Sequence, residues 1–451
     1  MNDNPLPQNG TLQSGSFSEN GEGPANNEQI VVGVDIGTTK VCAVVASTDA
    51  RDRVNILGVG MAESKGSNRG VVVNIDKTVD AVQEAVGEAE RAAGISVESV
   101  IVGIAGDHVQ SFQSRGVITI SRRNGEITQD DVQRLLEDTM HVAMPADREI
   151  LHVVPQEFIV DGQDGVADPV GMSGVRLEAN VHIITGLVSA AKNVFRCIEK
   201  AGFEVADIVL EPLASSFAVL HDDEQEVGTA LIDVGGGTTD VAVFEDNTIR
   251  HTAVIAVAGD KVTDDIRKGL GVMREHAERL KRRFGTSLID YAGEDEMITI
   301  PGIGGRSEKS IGRSALAQII QPRMEEVLEI AQIEIKRSGH ARHLAAGAVV
   351  TGGGSLIDGT DDLAADVLGM EARVGRPMGL DGGLVEEVSD PKFSTAVGLV
   401  LYGMRPEVIG GEPLSDDMGR RAHVDADGGT APGDTLFARI ADRMRAWFDE
   451  L

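Results

Sequence analysis

One pattern occurs twice in this chain, and the repetition restricts the fold more than any other feature. VVGVDIGTTKVCAVV, residues 31–45, returns about 200 residues later as ALIDVGGGTTDVAVF, residues 230–244. Each copy is an apolar run, an Asp, a Gly/Thr turn and a second apolar run. Two apolar runs flanking a glycine turn describe a β-hairpin whose tip carries no bulky side chain. Two copies so far apart imply two lobes with related cores. Elsewhere, strand-like runs such as Val100 to Ile104 and Ala348 to Val350 alternate with helical stretches such as Ile75 to Ala93, which Gly94 closes. The alternation predicts an α/β fold.

Glycine turns do chemistry when their backbone N–H groups point outward, because a row of such donors binds an anion. In the first copy Gly37, Thr38 and Thr39 are placed to hold one phosphate, and Lys40, absent from the second copy, to neutralise terminal phosphate charge. Gly235, Gly236, Gly237, Thr238 and Thr239 offer the same donors from the opposite side. Asp35 and Asp233, at the strand ends, supply hard oxygens for a Mg2+ held through its waters. Either turn alone would pass for an ordinary tight hairpin. Duplication with matched Asp positions argues for two loops clamping a polyphosphate. Neither is a GxxxxGK(S/T) loop, and neither is a dinucleotide fingerprint, since a strand follows the glycines. A third cluster, GAVVTGGGSLIDGTDDLA at 347–364, reads as a strand, then Gly352, Gly353, Gly354 and Ser355, then a helix starting near Ile357. Such a helix start suits an anion or ribose and the bare backbone suits a flat purine, although a plain capping turn has the same grammar.

The chain has 451 residues, 41% of them hydrophobic, enough for two substantial cores. With 41 Lys and Arg against 72 Asp and Glu, its net charge of -31 repels nucleic-acid backbones, so no nucleic-acid partner is expected. A protein, a small ligand or a membrane remains; adaptation to a high-salt cytoplasm gives the same composition. Cys42 and Cys197 sit in apolar segments without a CxxC or histidine-rich neighbour and read as buried thiols in a reducing compartment. No run of about 18 apolar residues occurs, and residues 1–28, rich in Asn, Gly, Ser and Pro, lack a signal-peptide pattern. The expectation is a cytoplasmic, non-spanning protein with a disordered N-terminal tail, order from about Gln29, and a flexible tether over 406–433.

After that tether comes TLFARIADRMRAWFDEL, residues 435–451. At about 100° per residue, Leu436, Phe437, Ile440, Met444, Trp447, Phe448 and Leu451 share one face, opposite Arg439, Asp442, Arg445, Asp449 and Glu450. A helix isolated from the body in this way is expected to lay its apolar stripe among lipid headgroups and acyl chains, with Trp447 at the boundary. Fully burying one such side chain yields about 1.5–3 kcal/mol, so partial insertion gives weak attachment that polymerisation strengthens through effective concentration. The balanced charges make attraction to anionic lipid modest. Docking onto the body or a partner is the alternative.

In this order and spacing, the three glycine segments resemble the phosphate-1, phosphate-2 and adenosine motifs of the actin, Hsp70 and sugar-kinase superfamily. VLEPLASSFAVL (209–220) and DPKFSTAVGLVLYG (390–403) are similar to its two interlobe connectors. The resemblance implies a two-lobed actin-like (ribonuclease H-like) ATPase fold that binds ATP with Mg2+. It also implies that Glu211 orders the attacking water or the metal's hydration shell; alone, Glu211 would be a helix-start carboxylate beside Pro212. HAERLKRR (276–283) resembles the helix that touches the adenosine, which puts Glu278 near the ribose and Lys281 and Arg282 near the base.

Within the superfamily, residues from 29 onward are most similar to the FtsA family of bacterial cell-division proteins. REILHVVPQEFIVDG (148–162) and ANVHIITG (179–186) resemble that family's inserted 1C subdomain, expected over 108–184. The implied plan is 1A over 29–107 and 185–227, 2A over 228–258 and 347–389, 2B over 259–346, a return to 1A over 390–405, and a membrane-targeting helix over 434–451. PGIGGRSEKSIGRSALAQIIQPRMEE (301–326) resembles the surface that receives the C-terminal peptide of FtsZ, which implicates Arg323 and Glu326. The family further implies filaments on the inner face of the cytoplasmic membrane that tether FtsZ at the septum, contact with later divisome membrane proteins, and at most slow ATP hydrolysis. Three alternatives belong to the same superfamily. A small-molecule kinase needs a second-substrate pocket with a catalytic Asp, for which no motif is present. A chaperone needs more than the roughly 50 residues that follow the second connector. A pilus-assembly relative is not expected to carry the terminal helix.

Overall fold

The structure, a computed structural model, describes residues 29–404 apart from 50, 52, 122–124, 294–295 and 301–306. The tail expected over 1–28, the tether, the terminal helix with its seven apolar-face residues, and part of the 301–326 segment lie outside the described residues.

The first lobe opens with strands β1 (Gln29–Ile36), β2 (Lys40–Thr48) and β3 (Val54–Glu63), then a two-rung hairpin of β4 (Ser67–Asn68) and β5 (Val71–Val72), helix α1 (Ile75–Ala93) and β6 (Ser99–Ile104). β1 and β2 pair antiparallel with Ile36 opposite Val41, so Gly37, Thr38 and Thr39 form the hairpin tip. α1 starts where Asn74 accepts the Lys77 N–H at 3.0 Å and stops at Gly94, whose φ of 70° is left-handed. Its buried stripe of Thr78, Ala81, Val82, Ala85, Val86 and Ala89 lies on β2 and β3.

An inserted unit follows: β7 (Gln110–Thr119), α2 (Gln129–Met140), β8 (Arg148–Val160), β9 (Gln163–Val166) and β10 (Arg176–Leu187). Its antiparallel sheet, ordered β7-β10-β8-β9, has its own core around Leu135, Leu136, Ile150, Leu177 and Ile183. The chain then re-enters the first lobe as α3 (Val188–Ala201), β11 (Glu204–Leu210), α4 (Glu211–Val219) and α5 (Asp222–Val227).

The second lobe repeats the grammar of the first. β12 (Thr229–Val234) and β13 (Thr239–Glu245) form the second hairpin, followed by β14 (Thr248–Ile255), α6 (Gly259–Leu270), α7 (Arg274–Phe284), β15 (Met297–Ile300), β16 (Lys309–Gly312), α8 (Arg313–Arg337), β17 (Ala348–Thr351), α9 (Thr360–Leu368) and β18 (Ala372–Val374). Its sheet is ordered β14-β13-β12-β17-β18, and β17 runs parallel to β12 just as β6 runs parallel to β1. β19 (Gly382–Gly383) returns to the edge of the first sheet, ordered β11-β6-β1-β2-β3-β19, and α10 (Ser394–Met404) closes the described chain. Cys42 and Cys197 are buried free thiols.

α4 and α10, the expected connectors, lie against each other between the two sheets. They approach so closely that a Cβ on Gly398 would stand 1.8 Å from Ala214 O. The first lobe's core accordingly continues into Leu231, Ala242, Phe244, Ile249 and Val349 of the second sheet. The inserted unit also reaches the second lobe, where β7, β8 and β10 pack against β14. Ser111 Oγ donates to Thr252 O at 2.9 Å, Gln156 Nε2 to Ile249 O at 2.9 Å, and His182 Nε2 lies 3.2 Å from Thr252 Oγ1.

Candidate nucleotide cleft between the hairpins

The two hairpin tips meet. A Cβ on Gly236 would stand 2.4 Å from Thr39 Cγ2, and one on Gly237 would stand 2.4 Å from Thr38 Oγ1. Only glycine permits this approach. Around the contact opens a cleft of about 570 Å³, counted with its mouth. Of the residues expected from sequence, Asp35, Gly37, Thr38, Thr39, Lys40, Glu211, Asp233, Gly235, Gly236, Gly237, Thr238, Gly352 and Gly353 line it. Gly70, Asp240, Pro391, Lys392 and Thr395 line it too; Gly70 lies outside every motif, and the others belong to the second hairpin and the second connector without having been singled out as site residues. Asp240 directly follows the second Gly/Thr turn and pairs with Asp233 across the hairpin, as Cys42 pairs with Asp35 in the first.

Three expected residues lie beneath the wall. Thr239 is buried and donates from Oγ1 to Val257 O at 2.8 Å. Ser355 donates from Oγ to Gly352 O at 2.8 Å, and Gly354 is pressed against Val234. The helix expected near Ile357 begins only at Thr360, after a 3-10 turn over Gly353–Leu356. The delay has a cause. Ile357 is buried, the Asp358 carbonyl accepts the Ser287 N–H at 2.7 Å, and the chain turns through Gly359 at φ 73° before helical bonding starts.

Glu278, Lys281 and Arg282 lie on α7 outside the cleft lining. Lys281 Nζ donates to Gly259 O at 3.0 Å and to Thr263 Oγ1 at 2.9 Å, and it pairs with Glu278 at 2.8 Å. Glu278 in turn accepts from Thr263 Oγ1 at 2.5 Å. This knot braces the start of α6, whose Gly259 and Asp260 N–H groups donate to Gly235 O and Gly236 O. Lys281 therefore supports the second turn from behind, and Arg282 is exposed. On α8, Arg323 Nε bonds Asp265 of α6 at 2.6 Å and pairs with Glu326.

Negative charge is concentrated where the hairpins meet. Asp35 pairs with Lys40 at 2.8 Å. Burial disfavours the Lys40 charge, but Asp35 more than offsets it and holds the ammonium above its ordinary value. Burial pushes Asp233 up to about 6, against the 2.7 Å hydrogen bond donated by Ser215 Oγ. Burial and then the charges of Asp35, Asp240 and Asp233 lift Glu211 well above the carboxylate range, and Asp240 is lifted by burial and by Asp233. Asp240 Oδ1 is buried with no hydrogen-bond partner.

Convergent oxygens with an unpartnered atom among them are the donor set of a hard divalent cation. Asp35, Glu211, Asp233 and Asp240 fit Mg2+ in this respect, and the glycine turns beside them fit its phosphates. Gly103, opposite Glu211, leaves the room that its side chain occupies, since a Cβ there would stand 3.0 Å from Glu211 Cγ.

The family model described as "Cell division protein FtsA" matches residues 230–398, and one described as "SHS2 domain inserted in FTSA" matches 106–185, which covers the inserted unit. The cell division protein FtsA of Pseudomonas aeruginosa is 41% identical over 419 residues, covering 93% of this chain and 97% of the relative. That of Bacillus subtilis is 39% identical over 398 residues, covering 88% of each. Among solved structures, the PilM-PilN type IV pilus biogenesis complex aligns with a TM-score of 0.60 at 15% identity, covering 83% of this chain and 98% of that one. MreB5 of Spiroplasma citri bound to ADP aligns with a TM-score of 0.50 at 15% identity, covering 84% and 98%. These likenesses carry the fold, which is the two-lobed actin-like ATPase architecture with an inserted subdomain. With identity near 40% sustained across nearly the whole length of its relatives, the chain belongs to the FtsA family of cell division proteins.

Proposed function

We propose that this chain binds Mg2+ and ATP between its two hairpins, assembles into filaments in that state, and tethers FtsZ polymers to the inner face of the cytoplasmic membrane at the division septum. The observation that carries the nucleotide step is the meeting of Gly236 and Gly237 with Thr39 and Thr38 beside four converging carboxylates. The names of its relatives supply the setting, cell division. Residues 434–451 would provide the membrane contact, and the α8 surface around Arg323 and Glu326 the contact with the FtsZ peptide. Because Arg323 is already paired with Asp265 and Glu326, an acidic peptide there must compete with two carboxylates. The same membrane-bound filament would present the inserted unit to later divisome membrane proteins.

In the cleft, backbone N–H groups of both turns would hold the phosphates, and Lys40 and Lys392 would offset their charge. The Gly70 N–H donates to Thr38 Oγ1 at 3.1 Å, and Ser67 Oγ to Gly37 O at 2.6 Å, which fixes the first turn. Ser215 and Thr395 fix Asp233 in the same way. Bound Mg2+ would screen phosphate charge and polarise the leaving oxygen. Glu211, whose surroundings raise its proton affinity, would accept a proton from the attacking water at its carboxylate. Asp233 and Asp240 line the same cleft, and Glu211 is the carboxylate that the family resemblance assigns to this step, with turnover expected to be slow.

Co-sedimentation with liposomes, with and without ATP, tests the whole reading. The intact chain is expected to pellet, more so with ATP, and a chain ending at Gly433 to stay in the supernatant. Equal pelleting of the two would defeat the membrane assignment, and indifference to ATP would defeat its coupling to the cleft.

A further inference from the structure

Three metal-binding side chains converge at the opposite end of β13 from the phosphate turn. Glu245 ends that strand, while His340 and His343 belong to the turn that follows α8. One ligand atom from each lies within 4.8 Å of the other two. Both imidazoles present Nδ1 to the same carboxylate, His340 at 2.5 Å from Oε2 and His343 at 2.9 Å from Oε1.

The backbone holds them in this attitude. The His343 N–H donates to His340 O at 2.8 Å, and the His340 N–H to Ser338 Oγ at 3.0 Å. Gly228 lets the turn settle, because a Cβ there would stand 2.2 Å from His343 O. Partial burial opposes the Glu245 charge, but the hydrogen bond from His340 and the charges of His340, His343 and Arg250 outweigh it and keep the carboxyl ionised. Arg250 is a cation near Glu245 that would oppose a metal, and its guanidinium is shared with Asp246 at 2.8 Å.

We propose that Glu245, His340 and His343 form a second metal site, for a borderline divalent transition metal of the zinc class, with water completing the coordination. Two imidazoles and one carboxylate select such an ion over Mg2+, which prefers an all-oxygen set. The metal displaces to solvent the Nδ1 proton that each ring directs at Glu245 in the metal-free chain, leaving a neutral ring with its proton on Nε2, and the carboxylate turns one oxygen to the metal. His343, with a side chain 59% exposed, leaves the remaining positions open to water. A bound ion would fasten the exit of α8 to the end of β13.

The test is calorimetric titration of Zn2+ into the full chain with Mg2+ and ATP in excess, so that the cleft carboxylates are occupied, followed by Co2+ substitution and its visible spectrum. One equivalent of Zn2+ and the Co2+ bands of a nitrogen-and-oxygen site are expected. Losing even an outer partner of a metal ligand costs roughly 10–100-fold in affinity. His343→Ala should therefore weaken binding at least that much, and His340→Ala with His343→Ala should abolish it. Because His343 is largely exposed, its removal is expected to leave the metal-free melting temperature close to the wild-type value, which thermal unfolding of the variant without metal checks. Absence of Zn2+ binding in the wild type, or equal binding by the double variant, would make the metal adventitious and overturn the proposal.

Discussion

Asp240 faces Asp233 across the second hairpin, where Cys42 faces Asp35 across the first, and this additional carboxylate makes the cleft more negative. Its Oδ1 is buried without a partner, and an unpaired buried charged oxygen costs about 1–3 kcal/mol or more. Asp240→Asn should therefore raise the metal-free melting temperature by about 1–3 °C, at roughly 1 °C per kcal/mol for a chain of this size, and should diminish the gain expected from Mg2+. Thermal unfolding with and without Mg2+ measures both; a lower metal-free melting temperature would mean the carboxylate is already well satisfied. Asp233 gives the pH dependence. Its folded value of about 6 exceeds the ordinary aspartate value of 3.8, so the folded state holds the proton more tightly. Stability contributed by the neutral form is present at low pH and is lost as pH rises through about 6. Metal-free chain should melt lower near pH 7 than near pH 5, and the Mg2+ increment should grow over that interval. Asp35, Asp233 and Glu211 were legible because each sits inside a local motif. Ser215, Lys392 and Thr395 were not, because within the two connector segments nothing local marks them as facing the cleft, and Gly70 lies outside every motif; tertiary packing places all four.

At the scale of elements, both hairpins could be read from sequence because their pairing is local and their turns are spelled by glycine. The start of α9 could not, since it is decided by Asp358 accepting a hydrogen bond from Ser287, 71 positions away (358 − 287). The facing turns make a sharper claim. Gly236→Ala puts a methyl group 2.4 Å from Thr39 Cγ2, and relieving such an overlap costs about 1–3 kcal/mol. As the two turns belong to different lobes, that cost falls on closure. ATP affinity should drop by roughly ten-fold or more, with little change in the metal-free melting temperature. Adding Thr39→Ser, which removes Cγ2, should recover part of the loss, and a double variant no better than Gly236→Ala alone would refute the contact.

For the whole molecule, the repeat announced two lobes, and α4 and α10 join them as the connector segments implied. The grip of the inserted unit on β14 had no sequence signal: Ser111, Gln156 and His182 are ordinary polar residues whose partners lie 141, 93 and 70 positions away. Each such hydrogen bond contributes about 1 kcal/mol net. Ser111→Ala with Gln156→Ala should therefore speed amide hydrogen exchange along Thr248–Ile255 by about ten-fold or more, while β12 at the sheet centre stays protected. Unchanged exchange in β14 would show that its own pairing with β13 suffices to hold it.

β14 runs from that grip to the second phosphate turn, where Ile255 pairs with Thr239. A pull on the inserted unit would load this strand in tension and shift the second glycine turn. The strand would then act as a strain gauge, making the opening of the cleft responsive to mechanical load.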